Sequence, residues 1–242
     1  EKEFAAAEKS IDPRVKAALI DAIDRISRWH KAGMVKAFSV KTASGVHCGR
    51  IIRPIQRVGL YIPAGSAPLP STVMMLAIPA KLAGCPEVVL CSPPQADGSI
   101  DAAILVAAKL CGVSKIYKTG GAQAIAAMSF GTKSIPRCDK LFGPGNAYVS
   151  TAKMIVQAMP NGPAIDMPAG PSEVLVIVDA QSNAAFAAAD LLAQAEHGPD
   201  SQVVCLSDSA EKLREIVAEV KTQINKLPRQ AIVSKALQYA RL

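Results

Sequence analysis

The sequence is poor in several features that mark particular classes of protein. Aromatic residues make up only 4% of its 242 residues, so the interior must be built mainly from Ala, Val, Ile and Leu. The longest apolar run, residues 73–80, is far too short to cross a bilayer. The 27 basic residues are scattered, without a dense cluster or interleaved aromatics, which argues against a nucleic-acid partner. We therefore expect a soluble, cytoplasmic protein with an aliphatic core.

Several enzyme signatures are also absent. The six cysteines include no C-x-x-C pair, so in a cytoplasmic chain we expect them to be reduced and mostly buried. The sequence has neither the G-x-G-x-x-G fingerprint of many dinucleotide sites nor the G-x-S-x-G elbow of serine hydrolases. The chain does not start with methionine, and its last residue, Leu242, falls inside a helical pattern that has no stop signal. We therefore expect a segment of a longer polypeptide.

What the sequence does contain is a regular alternation of short apolar strands and helices. An amphipathic helix is predicted over residues 11–33 and a β-hairpin over residues 38–57. The predicted strands that follow are 58–62, 87–91, 115–118, 139–142, 172–179 and 202–207. The predicted helices between and after them are 71–82, 100–110, 122–130, 147–159, 183–197, 209–226 and from 229 onward. Strands that are apolar throughout and separated by helices predict an α/β fold with two Rossmann-like parallel-sheet units.

Two stretches rich in proline and glycine, near residues 62–68 and 164–171, suggest domain boundaries. They would bracket a complete α/β unit over residues 63–170. The remaining residues, 1–62 plus 171–242, would then form the other α/β domain. The sequence thus predicts one unit inserted into the other, with the discontinuous domain incomplete at its C-terminus.

A polar helix face is predicted in the alanine-rich helix at residues 183–197. Asp190, Gln194 and His197 are three or four residues apart, which places a carboxylate, an amide and an imidazole side by side. Gln194 and His197 are therefore candidate metal ligands, with Asp190 as a partner behind them. The alternative is a solvated helix end at which the histidine interacts with the helix dipole.

Glycine-rich loops lead from predicted strands into helices at residues 120–123 and 143–146. Ligands of parallel sheets bind at the carboxyl ends of the strands, and amides at a helix start can hold a phosphate. Gln123 and Asn146 are therefore candidates to bind the ribose or base of a nucleotide cofactor. The alternative is that the glycines only form tight turns and Asn146 only caps its helix.

Two further side chains are candidates for ligand binding. Tyr61 ends a predicted strand just before the loop at residues 63–68, where it could stack on a ligand, hydrogen-bond to it, or simply pack. Ser172 lies at the predicted domain crossing and could orient a substrate. Because no histidine partner is fixed by the sequence, a serine hydrolase is not indicated.

Five stretches carry a specific combination of motifs. They are VGLYIPAGSAP at 58–68, GGAQAIA at 120–126, FGPGNA at 142–147, IDMPAGPSEV at 165–174 and QAEHGPDSQ at 194–202. Together and in this order they closely resemble the histidinol dehydrogenase family, and the match extends over nearly the whole chain.

The resemblance implies an enzyme that oxidises L-histidinol to L-histidine through an aldehyde in two NAD-dependent steps, the last step of histidine biosynthesis. It also implies a homodimer with one zinc ion per active site. The implied site residues are Gln194 and His197 for zinc and substrate, Ser172 for substrate, and Tyr61, Gln123 and Asn146 for NAD.

Part of the family's site has no counterpart here. Its acid–base pair, an adjacent glutamate and histidine, and its other two zinc ligands, an aspartate and a histidine, correspond to positions after Leu242. His30 and His47 lie outside the matched stretches and cannot replace them. The resemblance therefore implies no catalytic residue in this chain, an incomplete zinc site, and little or no activity of this segment alone.

Two other functions remain open at this point. One is a related dehydrogenase of another polar alcohol, such as a hydroxy-sulfonate, and the other is a non-catalytic nucleotide-binding module. The close match around Ser172 and Gln194 favours histidinol over other alcohols. The unbroken run of motifs through His197 argues against a binding module.

Overall fold

The structure, a computed structural model, describes residues 1–64, 67–170 and 173–241. They form two compact units, Glu1–Gly170 and Pro171–Leu242, and each contains both helices and parallel strands. The predicted α/β fold class is therefore confirmed. Within the described residues, no helix is both long enough and apolar enough to cross a membrane.

The first unit begins with two helices and a hairpin. Its elements are α1 (Lys2–Ser10), α2 (Pro13–Ala32), β1 (Phe38–Ala43) and β2 (Val46–Arg50). α2 starts where the sequence predicts, because the carboxylate of Asp12 accepts a hydrogen bond from the Arg14 amide at 2.7 Å and Pro13 occupies the first helical turn. The predicted helix and hairpin are confirmed, whereas α1 is an element that the sequence pattern did not indicate.

A five-stranded parallel sheet with the strand order β5-β4-β3-β6-β7 forms the centre of this unit. Its strands are β3 (Arg57–Tyr61), β4 (Glu87–Ser92), β5 (Ile116–Lys118), β6 (Lys140–Phe142) and β7 (Ala164–Ile165). The connecting helices are α3 (Pro70–Leu82), α4 (Ala102–Leu110), α5 (Gly121–Phe130) and α6 (Ala147–Ala158). Every element except β7 matches a predicted one, and β7 lies in the stretch that was interpreted as a linker.

Helices cover both faces of this sheet. Leu60 and Leu90 pack into one apolar layer with residues of α3 and α4, while Val89 and Leu141 pack into another with residues of α5 and α6. This double burial explains the continuous apolar run at residues 88–91 of β4.

The cysteines follow the prediction. All six are free thiols, and Cys91, Cys111, Cys138 and Cys205 are buried. Burial raises the pKa of Cys91 and of Cys138 to about 12, so both thiols stay protonated at neutral pH. A buried, protonated thiol is a packing group and not a nucleophile.

The structure divides the chain differently from the sequence prediction. β3, which belongs to residues 1–62, hydrogen-bonds to β4 on one side and to β6 on the other, so it is part of the sheet of residues 63–170. α1 and α2 also pack in this unit, where Phe4, Ala7 and Leu19 join the layer formed by α3 and α4. The association of residues 1–62 with 171–242 in one domain stays a prediction.

The second unit is smaller. Its elements are β8 (Glu173–Val178), α7 (Ala184–Ala195), β9 (Gln202–Ser207), α8 (Ala210–Ile224), α9 (Gln230–Ala236) and a 3-10 turn (Leu237–Tyr239). β8 and β9 pair in parallel over six residues each, and Arg241 adds a parallel bridge beside Val204. These elements confirm the predicted strand–helix–strand arrangement.

Candidate functional site

Three polar side chains line one open groove in the second unit. Asp190, Gln194 and His197 form one wall with Ala193, and β8 residues 174–177 form the other. The groove has a volume of about 470 Å³. The helical spacing that predicted a shared face is therefore realised, and the carboxylate, amide and imidazole open onto the same space.

The sequence of α7 explains why this face points away from the core. Ala187, Ala188, Leu191, Leu192 and Ala195 are buried on the opposite side, which leaves the polar stripe outside. The helix is fixed at its start by Asn183, whose side-chain oxygen accepts hydrogen bonds from the amides of Ala185 at 2.9 Å and Phe186 at 3.2 Å.

His197 lies just past the end of this helix. Its amide donates to the carbonyl of Gln194 at 3.1 Å, in the turn that closes the helix. The side chain is exposed and Gln194 is half-buried. An exposed imidazole beside an amide can approach a metal ion without rearranging the core.

The donors in the groove suit zinc in chemical type but not in number. Imidazole nitrogen and carboxamide or carboxylate oxygen are ligands compatible with zinc, which usually takes four. Among the residues that the structure describes, no group of three His, Cys, Asp or Glu side chains is placed to hold a metal. The groove thus offers part of a metal site. Ser172, the candidate substrate contact, lies outside the described residues.

A second group of candidates meets at the carboxyl edge of the five-stranded sheet. The hydroxyl of Tyr61, at the end of β3, accepts a hydrogen bond from the amide of Gly121 at 3.0 Å. Gln123 folds back over the same helix start, since a Cβ placed on Gly121 would lie 2.6 Å from its Oε1 atom. Tyr61 and Gln123 therefore both lie at the start of α5.

Tyr61 also borders the other glycine-rich loop. Gly143 has φ +127°, and a Cβ there would lie 2.2 Å from the carbonyl oxygen of Tyr61, so only glycine fits between the two strands' ends. Three residues further, Asn146 caps α6 by accepting a hydrogen bond from the amide of Val149 at 3.1 Å. The capping role considered for Asn146 is thus present, and its binding to NAD stays a prediction.

The sheet topology favours a ligand at this position. After β3 the chain moves to β4 and β5 on one side, and it then returns to β6 on the other side of β3. The gap between β3 and β6 is therefore the switch point at which open α/β sheets bind ligands. Tyr61 and Gly143 stand at the carboxyl ends of these two strands.

The electrostatics of Tyr61 suit hydrogen bonding and not proton abstraction. Burial raises the pKa of its hydroxyl, and the hydrogen bond from Gly121 offsets part of this shift. The hydroxyl therefore keeps its proton at neutral pH. Since its oxygen already accepts from Gly121, the proton can be donated to a ligand oxygen.

The sequence interpretation missed two charged residues beside this edge. Lys153, which is buried, and Asp166, which is partly exposed, form an ion pair next to the loop at residues 143–146. Lys153 lies on the same helical face as the buried Val149 and Val156, and a lysine on an apolar face is a sequence pattern that could have revealed it. Its partner could not be identified in that way, because Asp166 follows a separate strand.

Comparison with known proteins places these features in a family. A family model described as histidinol dehydrogenase matches residues 1–242. The histidinol dehydrogenase of Xanthomonas axonopodis pv. citri (strain 306) is 60% identical over 242 residues, covering 100% of this chain and 56% of that protein. The histidinol dehydrogenase of Xylella fastidiosa (strain 9a5c) is 55% identical over 240 residues, covering 99% and 56%. The chain thus spans about half the length of these relatives.

Solved structures give the same result. The crystal structure of histidinol dehydrogenase from Elizabethkingia anophelis matches with a TM-score of 0.93 at 49% identity, covering 100% of this chain and 55% of that one. An aldehyde dehydrogenase from Bartonella henselae matches with a TM-score of 0.55 at 13% identity, covering 87% and 43%. At that identity the second likeness concerns the fold alone.

Proposed function

The chain belongs to the histidinol dehydrogenase family, and we propose that it supplies the nucleotide-binding edge and part of the zinc and substrate site of a cytoplasmic enzyme. That enzyme would oxidise L-histidinol to L-histidine with NAD, in histidine biosynthesis. The observation that carries the proposal is the convergence of Asp190, Gln194 and His197 on one groove, within a chain that matches the family over its whole length. Because the chain spans about half of its relatives, the activity is proposed for the complete protein.

Gln194 and His197 would hold the zinc ion in this groove. Their amide oxygen and imidazole nitrogen have the right chemical character, and Asp190, in the same groove, would orient a ligand by hydrogen bonding. The family resemblance implies that an aspartate and a histidine from other parts of the protein complete the site. When bound, zinc would fix the imidazole and amine of the substrate as a template.

Tyr61, Gln123 and Asn146 would hold NAD at the carboxyl edge of the first unit's sheet. This proposal is supported by the position of Tyr61 and of the loop at residues 143–146 at the switch point between β3 and β6. Tyr61 would donate its retained hydroxyl proton to an oxygen of the cofactor. When bound, NAD would accept the hydride, and one NAD would be consumed in each of the two oxidations.

The reaction requires two oxidations at the same carbon. In the first, the carbinol carbon loses a hydride and its hydroxyl loses a proton, which gives the aldehyde. Water then adds to the aldehyde, and the hydrate loses a second hydride and proton to give the acid. The residues of this chain bind and orient both partners, while the resemblance implies that the proton acceptors, a glutamate and a histidine, lie elsewhere in the protein.

The proposal predicts a fixed yield of NADH in a spectrophotometric assay. With the protein expressed from its complete reading frame, limiting L-histidinol and excess NAD, about two NADH should form per histidinol, as two hydride transfers require. Removing the metal with a chelator should stop the reaction, and adding zinc should restore it.

Three outcomes would contradict this proposal. One NADH per histidinol would mean that the oxidation stops at the aldehyde. NADH formation from another polar alcohol but not from histidinol would mean that the enzyme uses the same fold to oxidise a different substrate. Full activity of the metal-free protein would show that the reaction does not require zinc.

We also propose that the complete protein is a homodimer, as the family resemblance implies. The hairpin of β1 and β2 supports association, because Phe38, Val40 and Val46 are each about half exposed. Sedimentation velocity at micromolar concentration should give the mass of two chains. A single species with the mass of one chain would contradict the dimer.

A further inference from the structure

Lys153 carries a charge in the interior of the first unit. It projects from α6 and is 1% exposed. Its ammonium donates hydrogen bonds to the carboxylate of Asp166, to the carbonyl of Gly143 at 2.8 Å and to the carbonyl of Met167 at 2.9 Å. A buried ion of this kind is costly to desolvate unless every donor is satisfied, and here all three ammonium protons have partners.

Asp166, the partner of Lys153, also binds the backbone next to it. Its carboxylate accepts hydrogen bonds from the amide of Gly143 at 2.8 Å and from the amide of Met167 at 2.7 Å. Both backbone polar groups of Gly143 are therefore held by the ion pair, the amide by Asp166 and the carbonyl by Lys153. The pair fixes the orientation of the peptide groups at the point where the chain leaves β6.

The segment after Asp166 continues along the same loop. The carbonyl of Ala169 accepts hydrogen bonds from the amide of Gly145 at 3.2 Å and from the hydroxyl of Ser150 at 2.9 Å. Gly170 is packed so closely that a Cβ there would lie 2.2 Å from the carbonyl oxygen of Gly145. Residues 166–170 thus contact the loop at residues 143–146 at Gly143 and at Gly145.

We propose that Lys153 and Asp166 are positioning residues for the nicotinamide dinucleotide. The ion pair holds Gly143 in a backbone conformation that side chains rarely allow, and this in turn sets the place of Asn146 and of the first turn of α6. In this proposal the two side chains act through the backbone of Gly143 and not by direct contact with the cofactor. The inference rests on the proposed function, because it assigns a role to the loop at which NAD would bind.

The alternative is that the pair only stabilises the fold. The two roles differ in what replacing the pair should do to cofactor affinity. Replacing a buried charge such as that of Lys153, together with its partner, by apolar residues of similar size is often neutral or stabilising. A purely structural pair could therefore be replaced without changing cofactor affinity. A positioning pair could not, since Met and Leu offer the backbone of Gly143 neither a donor nor an acceptor.

The experiment compares the complete wild-type protein with the double variant Lys153→Met/Asp166→Leu. NADH binding is measured by fluorescence titration, steady-state kinetics with NAD and L-histidinol are recorded, and thermal unfolding is followed in parallel. We expect the dissociation constant for NADH and the KM for NAD to rise by about tenfold or more, with a smaller change in the KM for histidinol. Asp166→Asn, which keeps the shape of the side chain, should give a smaller shift in the same direction and serves if the double variant does not fold.

A second ion pair in the same sheet provides the control. Arg57 and Glu87 lie at the starts of β3 and β4, the end of the sheet opposite to the loop, with 2.5 Å between Nε and Oε2. Arg57→Met/Glu87→Leu should leave NADH affinity at the wild-type value, even if it lowers the unfolding temperature.

Four results would decide whether the pair positions the cofactor. Wild-type NADH affinity in a folded Lys153→Met/Asp166→Leu variant would overturn the positioning role, as would an equal loss of affinity in the control. Wild-type protein that binds no NADH would overturn it as well. NADH binding with the expected difference between the variants, but no oxidation of histidinol, would uphold the positioning role and reject only the proposed substrate.

Discussion

The His197→Asn variant of the complete protein is expected to bind almost no zinc and to form NADH from L-histidinol at least about 100-fold more slowly. Loss of a residue that only supports a metal ligand typically costs about 10–100-fold in affinity or activity, so loss of a direct ligand should cost more. The side chain is exposed on the groove, and its removal leaves the core intact. Bound zinc per chain and the initial rate measure the two effects.

His47→Asn is the matched control, because His47 is also exposed but lies on the hairpin of the first unit. It should keep full zinc content and rate. With the metal removed from all samples by a chelator, both variants should unfold within about 0.5 kcal/mol of wild type, the range typical of surface substitutions. Full zinc occupancy in the His197→Asn protein would show that the metal does not bind in this groove.

The Gly143→Ala substitution should strongly destabilise the sheet edge at which we propose that NAD binds. At φ +127° an alanine is strained, and its Cβ would lie 2.2 Å from the carbonyl oxygen of Tyr61, a backbone atom that cannot turn aside. Backbone strain and overpacking each cost about 1–3 kcal/mol, so we expect a loss of roughly 2–6 kcal/mol. Urea unfolding monitored by circular dichroism measures the loss, and NADH titration should show weaker binding.

Gly84→Ala separates conformational strain from the steric clash. Gly84 has φ +76°, but a Cβ there would meet no atom within 4 Å. Its variant should lose only about 1–2 kcal/mol, the cost of a left-handed backbone for an L-residue, and bind NADH normally. Equal losses in the two variants would mean that the loop yields to accommodate the new methyl group.

The sequence predicted those helices and strands whose burial is visible in their own pattern of apolar and polar residues. Residues 88–91 of β4 are all apolar because both faces of the sheet are covered, and this pattern is visible without knowing the neighbouring strands. α1 was missed because its position depends on distant partners. Glu3 pairs with Lys118 and Glu8 with Lys109, at separations of 115 and 101 residues.

The same distinction explains which parts of the site were predictable. Asp190 and Gln194 lie one turn apart on α7 and His197 lies in the turn that closes it, so their convergence follows from local geometry. The hydrogen bond between Tyr61 and Gly121 and the pairing of Lys153 with Asp166 depend on the strand order. The predicted domain division depended on it too, because β3 lies between β4 and β6 and cannot be separated from residues 63–170.

The contact between Tyr61 and Gly121, 60 residues apart, also has a consequence for folding. Closing long loops costs entropy before the contacts that reward it can form. The edge where NAD would bind therefore requires the chain from β3 to Asp166 to be assembled. The groove lined by β8 and α7 needs only residues 174–197 to come together. We therefore expect the groove to form from local contacts, and the sheet edge at Tyr61 and Gly121 to become ordered later.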